Sequence, residues 1–402
     1  MDLPVLDLGI IAAYLVVTIL LGLWVSKRAS RDLDSYFLGG KTIPWYILGI
    51  SNASGQFDIT GTMLLVYWCF AYGLKSVWFP WVWPTFNQIF LMMYLATWLR
   101  RSNVLTGAEW IQTRFGRGRG ANLAHISVVV FALITVIGFV AYEFKGVGKV
   151  AEIMLSWDLS PNAYALIILS ITSSYVVKGG MHSVVLTELL QFALMTVVSI
   201  TVGIIAIATV SPEAIDAVVP EGWRNLWFGL TMNMKWTGDF EMIQVKMAED
   251  GMSLFSIFFG LMVFKGVLAS MAGPSPNYDM QRVLATRNQR EASLMSATVN
   301  VVLYFPRYML IAGLTVLALV PLRETLVQMW NAAVQAGEKP DFEKILPVVI
   351  QNSVIPTGLT GLLLAGLLAA FMSTFAATVS YTHLRAHEPP EHLVCRLLLE
   401  KK

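Results

Sequence analysis

Gly49-Ile50-Ser51-Asn52-Ala53-Ser54-Gly55-Gln56-Phe57-Asp58-Ile59-Thr60-Gly61 interrupts an apolar run at 44–72 that is long enough to cross a bilayer. Glycines, small hydroxyls, two amides and an acid are poor material for a continuous helix in hydrocarbon, where every backbone amide and carbonyl needs a partner. Broken helix at membrane depth survives only where it is buried in protein or lines a polar cavity, and interrupted hydrophobic segments of this kind point to a transporter's binding site. The competing reading is that the small residues merely let two helices approach closely. Asn52, Gln56 and Asp58 favour the site, because an acid near the midplane costs roughly 2.5–3.5 kcal/mol on insertion scales. With Phe57 they form the candidate substrate contacts.

The remainder of the chain fits a membrane setting. Its 402 residues are 56% hydrophobic and only 13% charged, with a mean hydropathy of +0.63, which is too apolar for a soluble globular protein of this length. A net charge of +2 and the lack of a basic cluster interleaved with aromatics argue against a nucleic-acid partner. Cys69 and Cys395 offer neither a disulfide framework nor metal-ligand spacing. The first apolar run, 6–25, is long and has no small-residue cleavage site, so it is expected to stay as a span. An intramembrane enzyme would show an H-E-x-x-H motif, a nucleophile elbow or paired aspartates in its spans; the sequence has none of these, and no enzyme activity is expected.

Apolar runs near 6–26, 44–72, 77–99, 122–155, 162–178, 183–209, 252–273, 294–320 and 357–380 predict nine spans. Short basic loops mark the cytoplasm. Lys27, Arg28, Arg31 and Lys41 follow the first span, Arg100, Arg101, Arg114, Arg117 and Arg119 the third, and Arg282, Arg287 and Arg290 the seventh. The longer, more acidic loops at 210–251 and 321–356 fall opposite, which places the N-terminus outside a cytoplasmic membrane. Trp45, Tyr46, Trp68, Tyr72, Trp78, Trp81 and Trp83 cluster at span ends and read as an aromatic belt. The segment 106–116 reads as a short amphipathic helix lying in the interface.

Ionisable residues inside spans are functional hypotheses whose partner should be named. Lys265 and Arg307 fall near mid-depth, and either is a candidate partner for Asp58; both join the substrate list. Glu143 and Lys145 sit close enough to a span end to snorkel and are read as structural. In the last span Ala370, Ser373 and Thr374 share one helix face. A Ser-Thr pair in a membrane helix usually bonds back to the carbonyl four residues earlier. Two hydroxyls beside a carbonyl, with broken-helix carbonyls opposite, instead suit a small hard cation, which wants oxygen ligands. A neutral cage for Na⁺ is the better reading of the two faces together.

Six segments in order resemble the sodium:solute symporter family of sodium/glucose, sodium/proline and sodium/pantothenate transporters. They are Asp34-Ser-Tyr-Phe-Leu-Gly-Gly-Lys41, Gly49 to Gln56, Thr106 to Gly116, Lys178 to Gln191, Asp279-Met-Gln-Arg282 and Ala369-Ala-Phe-Met-Ser-Thr374. The resemblance implies an all-α integral membrane protein of leucine-transporter type, in which two inverted five-helix repeats follow one extra helix. Spans two to six form the first repeat. It also implies a Na⁺ site between spans two and nine, formed by the carbonyls of Ile50, Ala53 and Ala370 and the hydroxyls of Ser373 and Thr374. The family usually has an aspartate where this chain has Glu188; charge is kept while reach changes, and Glu188 is carried over as a cation-exit acid.

The tail from 381, with His383, His387 and His392, is a second departure. A histidine cluster can mean a metal site, but this tail resembles translated sequencing-adapter read-through. The expected organisation is therefore a symporter domain at 1–380, ending after the eighth core helix, and a non-native segment at 381–402. The expected function is Na⁺-coupled symport of an amino acid, carboxylate or sugar by alternating access. The alternative is a solute sensor using the same fold.

Overall fold

A computed structural model describes residues 3–29, 33–79, 85–105, 107–155, 159–227, 234–250, 260, 263–264, 278–352 and 355–386. Helix α1 (Val5–Ala29) and the short α2 (Leu33–Leu38) precede the decisive stretch, which forms α3 (Trp45–Gly55) and α4 (Ile59–Tyr72). These two helices meet at a 65° bend. The chain is broken only at Gln56–Asp58, a narrower gap than the composition of 49–61 implies, because Gly49 to Gly55 remain helical. Gly49 serves close packing instead: a Cβ there would sit 2.6 Å from the Thr298 Cβ and 3.0 Å from the Met295 carbonyl. Asp58 is the reason the helix restarts. Its backbone is extended and its Oδ2 accepts from the Gly61 amide at 2.7 Å, satisfying one of the donors a helix N-terminus leaves open.

Three short elements follow: α5 (Phe86–Phe90), α6 (Ala96–Ser102), joined to it by a π turn over Leu91–Leu95, and α7 (Gly107–Phe115). The last is the helix expected at 106–116. Next come the two longest helices, α8 (Arg119–Met154) and α9 (Pro161–Thr209). The latter begins with Pro161 behind a Ser160 cap and is split at Gly180, whose φ of 53° and ψ of −158° suit a residue without Cβ. After the split, α9 packs against α1 and against two later helices that carry site residues. Beyond it lie α10 (Pro212–Asp216), α11 (Glu241–Asp250), α12 (Tyr278–Ala285), α13 (Gln289–Val302), α14 (Tyr304–Leu319), α15 (Arg323–Gln335), α16 (Ile345–Gln351) and α17 (Leu359–Ala386).

Among the described residues five stretches are long and apolar enough to cross a membrane, namely Val5–Val25, Arg119–Glu152, Gly179–Thr209, Gln289–Leu319 and Leu359–Thr378, and the bent α3–α4 pair makes a sixth. Of the nine expected spans, 77–99 and 162–178 are helical where described but fall short on their own. The run at 252–273 lies almost wholly outside the described residues, as do Trp81 and Trp83. Leu123, Ile126, Val130, Ile134 and Ile137 of α8 are exposed, the pattern of a lipid-facing side, since apolar surface is stable against acyl chains. Tyr72 is not a belt residue. It is buried and donates to Asp250 of α11 at 3.3 Å.

The start of α17 is held by α1. Asp7 Oδ1 accepts from the amides of Gly358 and Gly361 at 2.7 and 2.8 Å, acting as a cap supplied from 351 residues away in sequence. Asp7→Ala is expected to cost about 1–2 kcal/mol, the range of lost helix caps, and Asp7→Asn much less, as judged by thermal unfolding of the purified protein.

Candidate functional site

The break in α3–α4 faces the last span. Ser54 Oγ lies 2.9 Å from Ser373 Oγ, and Thr374 Oγ1 donates to the Gly55 carbonyl at 3.0 Å and the Ala370 carbonyl at 3.1 Å. Ala53, Ser54, Ala370, Ser373 and Thr374 are all buried. Oxygens from two elements thus converge with no charged side chain among them. Thr374 also makes the back-bond to the carbonyl four residues earlier, so the two competing readings of this face coexist. The sequence brings the right segments together but not every predicted atom. The Ala53 carbonyl accepts from the Gln56 amide at 3.2 Å, and the α3 groups touching Ser373 and Thr374 belong to Ser54 and Gly55. Ile50 lies one turn earlier.

On the other side of the break, Arg307 of α14 satisfies the candidate partnership with Asp58. Its Nη2 donates to Asp58 Oδ1 at 3.0 Å and its Nη1 to the Gln56 carbonyl at 2.9 Å, and its guanidinium lies 5.8 Å from the centre of the Phe57 ring. One arginine therefore binds the carbonyl, the aromatic ring and the acid of three consecutive residues at the break. Lys265 lies outside the described residues. Asn52 is fully buried, and neither atom of its amide has a hydrogen-bond partner among the described residues. In a membrane core such a group is costly unless a ligand or water completes it.

Glu143 is not a snorkelling residue. It is 2% exposed on α8 and stands against Asp58 and Arg307, whereas Lys145 is exposed as expected. The hydroxyl of Thr60, just after the break, reaches the Tyr142 carbonyl at 3.4 Å, which keeps this turn of α8 against the start of α4.

Glu188, on the second half of α9, is fully buried and ion-paired with Arg282 of α12. Ser51 completes the group, donating to Glu188 Oε2 and accepting from Arg282 Nε at 3.0 Å. The carboxylate is thus engaged by a cation of the chain itself. Ser51 and Ser54 are site residues the sequence reading does not single out, Glu143 one that it reads as structural, and Arg282 one that it reads as a loop cation within a family motif. The i, i+3 spacing of Ser51 and Ser54 was the available signal for the first two, and for Glu143 only its position inside a span.

A bundle of apolar helices around a bent, polar helix pair defines a multi-pass membrane protein. The sequence profile of the sodium:solute symporter family matches residues 36–382, and the chain belongs to that family. It is 24% identical over 379 residues to the sodium/glucose cotransporter 4 of Danio rerio, covering 92% of this chain and 55% of that protein. It is 23% identical over 391 residues to the sodium/glucose cotransporter of Vibrio parahaemolyticus, covering 94% and 67%. The sodium/myo-inositol cotransporter 2 of Oryctolagus cuniculus is 25% identical over 395 residues, with 92% and 54% covered. The chain therefore spans only about half the length of the first of these. A Na⁺-coupled sialic acid symporter in a substrate-bound, outward-open state superposes with a TM-score of 0.71 at 16% identity, over 96% of this chain and 73% of that one. The fold is that of the leucine-transporter-type symporters.

Proposed function

We propose that the chain is the transporting part of a Na⁺-coupled symporter for a small organic solute in the cytoplasmic membrane, with its N-terminus outside. The observation that carries this reading is the contact between Ser54 and Gly55 at the helix break and Ser373 and Thr374 on α17. Neutral oxygens in a buried cleft suit Na⁺. The proposed ligands are the Ser373 and Thr374 hydroxyls and the Ala370 carbonyl, with Ile50 and Ala53 contributing carbonyls and Ser54 and Gly55 standing nearest. Na⁺ entering here replaces the Ser54–Ser373 and Thr374–Gly55 hydrogen bonds with bonds to one ion, so it favours conformers in which α3 and α17 stay together. A ligand shifts a conformational equilibrium only by its differential affinity, and coupling follows if solute at Asn52, Gln56, Phe57, Asp58 and Arg307 favours the same conformer. Lys265 belongs to the same proposed set by its place in the sequence. Glu188 is proposed as a cation-exit acid. Arg282 must release it before an ion can use it, which makes the pair a gate on the route to the cytoplasm.

The test is Na⁺ binding to the purified chain in lipid, read by Na⁺-dependent protection of a cysteine introduced near the break. Ser373→Ala and Thr374→Ala are each expected to raise the half-saturating Na⁺ concentration about ten- to a hundred-fold, since a hydrogen-bond-like contact to a charged group is worth about 1.5–3 kcal/mol. Unchanged Na⁺ dependence in both variants, with normal folding, rules out this ion site.

A further inference from the structure

The buried polar group beside the break, hereafter the cleft, holds two acids and one base. Arg307 is engaged by Asp58 Oδ1 and the Gln56 carbonyl, and Asp58 Oδ2 is taken by the Gly61 amide. Glu143 is left over. It is 2% exposed, neither of its oxygens has a donor among the described residues, and the charged groups acting on it are Asp58 and Arg307. Of the cations that follow it on α8, Lys145 is exposed and Lys149 is spent on Asp341 at 3.0 Å and Glu343 at 2.6 Å. Two carboxylates against one guanidinium leave an excess of one negative charge in a place where an uncompensated charge is prohibitively costly. A second feature points the same way: Arg307 Nε is buried without an acceptor, so the cleft has both a donor and an acceptor to offer.

We propose that Glu143 and Asp58 form, beside Arg307, a site for one positive charge that arrives on a hydrogen donor: a proton, or the ammonium group of the solute. A proton forms an O–H bond on one of the two carboxylates, which then donates a hydrogen bond, whereas an ammonium makes hydrogen bonds only. In both cases one positive charge arrives, no bond is broken within the protein, and the excess charge is cancelled. This rests on reading the cleft as the solute site and narrows its occupant. An anion without a cationic group does not complete the balance, whereas an amine or amino acid supplies the donor directly and a neutral polyol requires the proton. Alternating access then moves the charge with its carrier, separately from Na⁺ held between α3 and α17.

The test is infrared difference spectroscopy of the full chain in lipid, comparing wild type with Glu143→Gln. A protonated-carboxyl band present at neutral pH and lost in Glu143→Gln identifies the proton. A Glu143 carboxylate band shifted by ethanolamine, and not by Na⁺, identifies the ammonium. An ionised Glu143 that neither probe moves, or that Na⁺ alone moves, overturns the proposal. So does a band altered by Lys265→Met, because the chain itself then supplies the charge. If Glu143→Gln does not fold, Asp58→Asn gives the same reading: Glu143 becomes the acid for Arg307, and the protonated band disappears at the same pH. Ser373→Ala is expected to leave the Glu143 band unchanged, so failure of the Na⁺ site and failure of this one are separable.

Discussion

Arg282→Met is expected to abolish accumulation of folded protein. The guanidinium is 1% exposed against a fully buried Glu188, and removing it strands a carboxylate in an environment without water. Breaking a buried pair from one side costs about 3–5 kcal/mol, a large part of the stability of a typical domain. Glu188→Gln is expected to be destabilising for the opposite reason, since its amide oxygen can still accept from Arg282 but no longer balances the charge of the buried guanidinium. The double variant Arg282→Met with Glu188→Met removes both charges, and replacing a buried pair by apolar side chains is often neutral or stabilising. It is expected to recover folding, measured by detergent-solubilised yield and thermal unfolding, while losing the gate. A double variant no more stable than Arg282→Met alone shows that packing, rather than charge, holds this corner.

This corner also shows where sequence reading stops. Glu188 and Arg282 lie in separate motifs 94 residues apart, and each was legible as belonging to a family pattern. That they neutralise one another depends on the turn at Gly180 and on how α12 approaches α9, and no local periodicity encodes either. The helix break was legible because hydrocarbon makes backbone polar groups so costly that Gly, Ser, Asn and Asp within one span require a reason. Its exact extent was not, because Gly49 answers to packing against α13 and not to unwinding. Asp58 was found by its charge and its partner Arg307 by depth. Glu143 was misjudged because distance from a span end does not reveal whether a residue faces lipid headgroups or the bundle interior. On a helix as long as α8 about half a turn separates exposed Lys145 from buried Glu143.

The substitution of both acids in the cleft is expected to be far worse than the sum of its parts. Asp58→Asn keeps the helix cap, because the amide oxygen still accepts from Gly61, and removes the charge that Arg307 binds. Glu143, on which Arg307 acts electrostatically, is expected to take over as counter-ion, so the variant inserts and folds with a modest loss while Na⁺-dependent solute uptake is impaired. Glu143→Gln alone leaves the Asp58–Arg307 pair intact and is expected to cost little stability. With both changes Arg307, whose side chain is 8% exposed, has no acid within reach among the described residues. The loss is then expected to approach the roughly 3–5 kcal/mol of a stranded buried charge, with a coupling of about 0.5–3 kcal/mol beyond additivity. Thermal unfolding of wild type, both single variants and the double variant, run as one cycle in the same lipid, measures that coupling directly. A strictly additive cycle shows that Glu143 does not serve Arg307 when Asp58 is gone. Coupling that vanishes when Arg307→Met is added to every corner shows that the arginine is what the two acids share.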